Sequence, residues 1–296
     1  MTITIRHHTT YRFDAPVLLE PHVIRLHPRT GAAARLVDFA LDIEPAPAVR
    51  AENLDLDGNA VTHAWFEGWT DKLEVRSRAT VETLIVDPFR FLADDGDRSL
   101  PYAYPPDLAD RLRPCRSAPD AAHRSVRELA ADVAGESARS PLAFPLDLAR
   151  RLHEEFTLER RPDGPPLPPH ETAARRRGAC RDLAVLFIEC CRAMGLAARF
   201  ASGYAHTDSG TPNELHAWAE VYLIGGGWRA FDPSYGVAVA DRHVTVAAAP
   251  EARDAAPITG TFRGDAASRL RVAVDVRGTP TTATTSAGRE SRRPRQ

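Results

Sequence analysis

The sequence predicts an α+β protein in which a sandwich-like amino-terminal β domain precedes a core with one helix packed on an antiparallel sheet. Three observations lead there. The first hundred residues are rich in alternating, β-branched stretches. After Gly178, apolar side chains fall at Leu183, Leu186, Phe187, Cys190, Cys191 and Met194, the stripe of one buried helix face. Glu214 to Leu223 then alternates, Gly225-Gly226-Gly227 marks a turn region, and Trp228 to Phe231 returns as a second strand ending at Pro233.

Taken in order, Thr2 to Phe13, Val23 to His27, Leu36 to Ile43 and Lys72 to Val86 read as strands, with Asp57-Gly58 as a tight turn between them. Pro101, Pro105 and Pro106 punctuate a linker. Helices follow near Pro119–Val133 and Leu146–Phe156, the first carrying Ala122, Val126, Leu129 and Val133 at helical spacing. Arg161 to Pro169 is Pro-rich, turns at Asp163-Gly164 and delivers the chain to the Cys180 helix. Residues 237–262 are small and weakly patterned, Leu270 to Val276 forms one more strand, and Gly278 to Gln296 reads as disordered. The expected division is therefore 1–100 for the β domain, 101–277 for the core with its carboxy-terminal strand, and 278–296 for a tail. A chain of 296 residues suits two domains.

The chemistry sits in the core. Cys180 lies three residues before Leu183, on the buried stripe and in the first turn of its helix. There a sulfur meets unpaired backbone N–H groups and the positive end of the helix dipole, both of which favour an anion. The Cys180 N–H is also free to donate to an oxyanion formed beside the sulfur. His216 and Asp232 stand at opposite ends of the hairpin, equidistant from Ile224. A hairpin centred there sets them face to face, close enough for a carboxylate to reach an imidazole. Centring on Gly226 would instead oppose Asp232 to Glu220. The first register gives His216 a partner and is the one expected here. Cys, His and Asp in this order suit a thiol nucleophile, its base and the group that orients the base.

Other chemistries find less support. A net charge of −2 argues against a nucleic-acid or acidic-membrane partner. No apolar run approaches the roughly 18 residues of a membrane span, and Met1 to Arg6 alternates like a strand rather than a secretory leader. The four cysteines lack disulfide or metal spacing, which points to a reducing cytoplasm. His7-His8 are adjacent, His22 and His27 are oddly spaced, and His63 lies near a turn, so neither a metal set nor any cofactor is expected. No phosphate-cradling loop is present, since Gly225-Gly226-Gly227 lacks a following helix.

The chain resembles a known family. Gly178-Ala179-Cys180-Arg181-Asp182, Gly195 to Gly203-Tyr204, His216-Ala217-Trp218 and Gly227-Trp228 to Asp232-Pro233 resemble the bacterial transglutaminase-like, papain-like core. Tyr11 to Pro16-Val17, His22, Arg25 to Arg29 and Asp57-Gly58-Asn59 are similar to the β domain that precedes this core in one bacterial subfamily. The resemblance implies that Cys180 is the nucleophile, His216 the base and Asp232 the orienter, with no cofactor. Asp182, Trp218 and Tyr204 are candidate supporting residues. It also implies a protein or peptide substrate, attacked at an amide with hydrolysis or acyl transfer to follow. The competing reading is a non-catalytic interaction module that keeps the fold. Arg181 stands where many relatives have Gln or another polar residue.

Overall fold

The computed structural model describes residues 1–93, 99–119, 123–161, 163–207 and 214–280. The amino-terminal region is built from β1 (Thr2–Leu19), β2 (His22–Ile24), β3 (Ala34–Glu44), β4 (Val49–Leu54), β5 (Ala60–Trp65) and β6 (Trp69–Thr83). Helices α1 (Pro106–Arg111), α2 (Arg124–Glu136) and α3 (Phe144–Glu155) open the core, followed by the short β7 (Thr157–Leu158), α4 (Pro169–Arg175), β8 (Arg177–Gly178) and α5 (Cys180–Ala193). The rest is β9 (Ala198–Ala205), β10 (His216–Leu223), β11 (Gly227–Asp232), β12 (Val237–Ala238), β13 (His243–Ala249), β14 (Ile258–Thr259), β15 (Phe262–Arg263) and β16 (Ser268–Thr279).

Three sheets carry the molecule. β1, β3, β6, β15 and β16 form one, with β1 between β6 and β16 along most of its length. The second runs β14-β2-β5-β4 and the third β12-β11-β10-β9-β13. Val17, Leu41, Leu73 and Val75 of the first sheet bury against Ile24 and Leu26, which makes the amino-terminal region a β-sandwich. The third sheet has helices on one side: Ala217, Ala219, Val221 and Leu223 of β10 share a core with Leu183, Leu186 and Phe187 of α5. The core sheet also meets the amino-terminal sandwich, where Tyr204, Val244 and Val246 pack on Ile3, Ile5, Ala79 and Val81. This is the α+β arrangement the sequence predicts.

The expected division of the chain needs one correction. β16 (Ser268–Thr279), which contains the Leu270–Val276 stretch expected as the last strand of the core, pairs antiparallel with β1 from Thr2↔Thr279 to Phe13↔Ser268. β14 and β15 likewise return to β2 and β1. The chain leaves the sandwich, builds the core and comes back, so residues 258–279 belong to the amino-terminal sheets. A strand recognised from local alternation carries no information about which sheet it joins. Of the expected tail, Gly278 and Thr279 end β16, and residues 281–296 lie outside the described residues.

The seam between core and sandwich is polar as well as apolar. The Asn59 side chain donates to the Ala248 carbonyl at 3.0 Å and accepts from the Ala248 N–H at 2.9 Å, so it pairs with β13 much as a strand would. Asp55 holds the turn in place by accepting from the N–H groups of Asp57 and Asn59. The Tyr204 hydroxyl bonds His7 Nδ1 at 2.8 Å.

Candidate active site

The helix bearing Cys180 starts where the sequence places it, with Ala179 as the N-cap and Cys180 as the first helical residue. Ala179 has no capping side chain. Asp182, fully buried, takes that role from inside the helix by accepting from the Ala179 N–H at 2.7 Å. The same carboxylate accepts from the Leu167 N–H at 2.8 Å and pairs with the Arg161 guanidinium. Arg181 donates to the carbonyls of Arg161 and Asp163. Thus Asp182 and Arg181 clamp the Pro-rich loop before α4 to the end of the helix that carries the sulfur. Arg160, next in the loop, pairs with Glu214 just ahead of His216. At the far end Gly195 stops the helix at φ +78°, and a Cβ there would lie 2.2 Å from the Tyr102 carbonyl oxygen.

The hairpin forms, but in neither of the two registers considered. Ala219 pairs with Phe231 and Leu223 with Gly227, so the turn is centred on Gly225. One step further, Asp232 stands across from Trp218 rather than from His216. A shift of two residues keeps both side chains on one face, as strand alternation requires. His216 and Asp232 are thus diagonal neighbours, a separation long side chains can span. The His216 Nε2–H donates to Asp232 Oδ2 at 2.7 Å. Cys180, at the start of α5, contributes to the electrostatics of His216, and with Nε2 engaged by Asp232 the remaining ring nitrogen is Nδ1.

Burial disfavours a charged imidazole at His216, but the Asp232 carboxylate and Cys180 outweigh it and hold its pKa well above the usual histidine range. Asp232 is fully buried, which alone would push its carboxyl up; bonds to His216 and His243 reverse that and keep it below the ordinary carboxylate range. Its Oδ1 accepts from the Ser234 N–H at 2.8 Å, and His153 of α3 donates to the Ser234 carbonyl at 2.8 Å, pinning the turn after Pro233.

Of the candidate supporting residues, Trp218 lies at the site: its ring is 6.0 Å from His216 and it is fully buried. Asp182 supports the helix start. Tyr204 does not belong to the site. Its side chain points to the other face of β9, into the seam with His7. Tyr235, whose ring is 5.0 Å from His216, and His243, whose Nε2 is 2.9 Å from Asp232 Oδ2, were not found by sequence reasoning. His216, Asp232 and His243 also form a group of potential metal ligands whose donor atoms lie within 4.8 Å of one another, although no metal set is expected from the sequence. These residues come from three strands, so no local spacing announces the cluster. Arg181 is committed to the loop carbonyls rather than directed at the sulfur.

Comparison with known proteins agrees with this architecture. Residues 3–82 match the family described as the bacterial transglutaminase-like N-terminal region, and residues 127–233 match the transglutaminase-like superfamily. An uncharacterized protein of Mycobacterium tuberculosis is 28% identical over 289 residues, covering 92% of this chain and 91% of its own. One from Mycobacterium leprae is 25% identical over 289 residues, covering 91% and 96%. In fold, the chain is similar to the crystal structure of the "Putative Cysteine Protease" from Cytophaga hutchinsonii, with a TM-score of 0.67 at 22% identity, covering 95% of this chain and 92% of that one. In two successive regions the chain is thus similar to the bacterial transglutaminase-like N-terminal region and to the transglutaminase-like superfamily.

Proposed function

We propose that this protein is a thiol enzyme that acts on amide or peptide bonds through a thioester on Cys180. The observation that carries the reading is the line-up of Cys180, His216 and Asp232, in which His216 bonds Asp232 at 2.7 Å and Cys180, at the start of α5, bears on the same imidazole. In that line Asp232 stabilises the imidazolium, the imidazolium stabilises the anionic sulfur, and the start of α5 adds its dipole.

The steps follow from these positions. The Cys180 sulfur attacks the amide carbon, and the carbonyl π electrons move to oxygen. The oxyanion accepts from the Cys180 N–H, which as the first of the helix has no partner in the helical ladder. Collapse breaks the C–N bond as the imidazolium of His216 gives its Nδ1 proton to the departing nitrogen. A thioester remains and ammonia or an amine leaves. His216, now neutral, takes a proton from water or from a second amine, which attacks the thioester and expels the sulfur. Water yields hydrolysis, and an amine yields transfer.

The substrate class is protein or peptide, and the site needs no cofactor. Cytoplasmic residence fits the use of Cys180 as a free thiol, and the other three cysteines are free too. Among the described residues no helix is long and apolar enough to cross a membrane.

Incubation with a peptide library, with and without an added primary amine, tests the reading. Mass spectrometry should detect cleaved, deamidated or amine-linked peptides that a Cys180→Ala variant does not make. Amine-linked products would identify a transferase. Wild-type protein that yields nothing beyond the Cys180→Ala background would overturn the enzyme reading in favour of an interaction module.

A further inference from the structure

We infer that His243 is a positioning residue for the Cys180 reaction, holding the Asp232 carboxylate in the orientation that His216 requires. The inference rests on the thiol-enzyme reading above and extends it to a residue on a different strand.

The geometry of Asp232 makes such a residue necessary. Its strand position faces Trp218, so its carboxylate must lean along the diagonal to meet His216. An aspartate turns readily about its last torsion, and a carboxylate that turns away would leave the imidazole undirected. Three donors prevent it. Ser234 N–H holds Oδ1 at 2.8 Å. Oδ2 accepts from His216 Nε2–H at 2.7 Å and from His243 Nε2–H at 2.9 Å, one donor for each of its lone pairs.

His243 is itself fixed. It begins β13, which lies beyond β10 and β9 from the strand of Asp232, and so ties the far side of the sheet to the carboxylate. Its side chain is buried at 7% exposure. The Trp218 ring meets it edge-on, with centroids 5.1 Å apart at 81°. Gly203, in register with both His216 and Thr245, leaves room for that indole: a Cβ there would sit 2.8 Å from its edge. The other titratable groups against this cluster are Cys180, from the start of α5, and Tyr235, from the turn after β11.

For His243 to donate to Asp232, its Nε2 must carry a proton. Histidine 15N spectra of the wild-type protein should show the Nε2–H tautomer for His243; the Nδ1–H tautomer would overturn the inference without any variant. The second measurement is the pH profile of Cys180 alkylation, which needs no substrate. His243→Phe keeps a ring but loses the donor, and His243→Gln restores an N–H donor. If His243 positions Asp232, the Phe profile should narrow from both sides and its maximum rate should fall about tenfold, the scale of a lost bond to a charged group. The Gln variant should recover most of that loss. A Phe profile equal to wild type, a Gln variant as slow as Phe, or a profile that widens toward high pH would overturn the inference. The last would mean that His243 competes for Asp232 instead of holding it. Should the Phe variant fail to fold, the wild-type tautomer and the Gln profile decide. A wild-type profile no different from that of an ordinary thiol would overturn the enzyme reading itself, whereas a normal wild-type profile with an indifferent Phe variant overturns this inference alone.

Discussion

Asp232 and His216 meet on the diagonal of a β-hairpin: Oδ2 accepts from Nε2–H at 2.7 Å, while the strand register sets Asp232 across from Trp218. The pair therefore depends on what lies around it more than a directly opposed pair would. Ser234, His153 and His243 each fix one part of the turn or carboxylate that the register leaves free.

The reactivity of the cysteines is the first expected consequence. Burial pushes the Cys115 thiol up to about 11, and it raises Cys190 and Cys191 as well. Alkylation at pH 6, followed by peptide mapping, should label Cys180 well ahead of the other three. His216→Ala should slow that labelling by removing the imidazolium, and Asp232→Ala should slow it less. Equal labelling of Cys180 and Cys115 would contradict the site described here.

The His216–Asp232 pair should also leave a mark on stability. Asp232 has a folded-state pKa below its unfolded value near 3.9, so its contribution is present above that value and lost in acid. His216 has a folded-state pKa above its unfolded value near 6.5, so its contribution is full below 6.5 and fades as pH rises through the folded value. Both act together between about pH 4 and 6.5. Denaturant unfolding of wild type and Asp232→Asn should differ more at pH 5 than at pH 10. A gap that stays constant or grows with pH would show that Asp232 acts by packing alone.

Much of this site was legible because its parts are local. Cys180 is placed by a helical stripe and Gly195, and the hairpin by alternation around three glycines. The register was misjudged by two residues because the glycine run offers more than one centre, and only pairing with β9 and β12 selects Gly225. His243 gave no signal: β13 reads His-Val-Thr-Val-Ala-Ala-Ala and is mostly buried, so it lacks the alternation of a half-exposed strand. Tyr204 misled for a related reason. Adjacent residues of a strand face opposite ways, so nearness in sequence to Gly203 and the site put its ring in the seam instead.

Asp182 should matter for the loop as much as for the helix. It is fully buried and accepts from two backbone N–H groups and Arg161. Removing one partner of a buried charged network costs about 3 kcal/mol or more. Asp182→Ala should lower stability by roughly that amount and expose the segment around Arg160 to limited proteolysis. Wild-type resistance of that segment in the variant would rule out the clamp.

The seam between sandwich and core should respond to acid through His7. Burial, and then the neighbouring His8, lowers the His7 pKa to about 4, while its ring bonds Tyr204 and Thr9 as a neutral group. The unfolded chain would protonate His7 near pH 6.5. Because the unfolded state binds this proton first, stability falls as pH drops from about 6.5 toward 4, by on the order of 3 kcal/mol for this group. The loss belongs to the interface and not to Cys180. His7→Gln, which keeps hydrogen-bonding capacity without a titrating ring, should flatten that part of the stability curve and leave the alkylation profile of Cys180 unchanged. Stability measured by urea unfolding from pH 7 to 4 reads the first effect. A slope identical in wild type and His7→Gln would mean that the buried imidazole is protonated without cost, and the seam would not be held by a neutral His7.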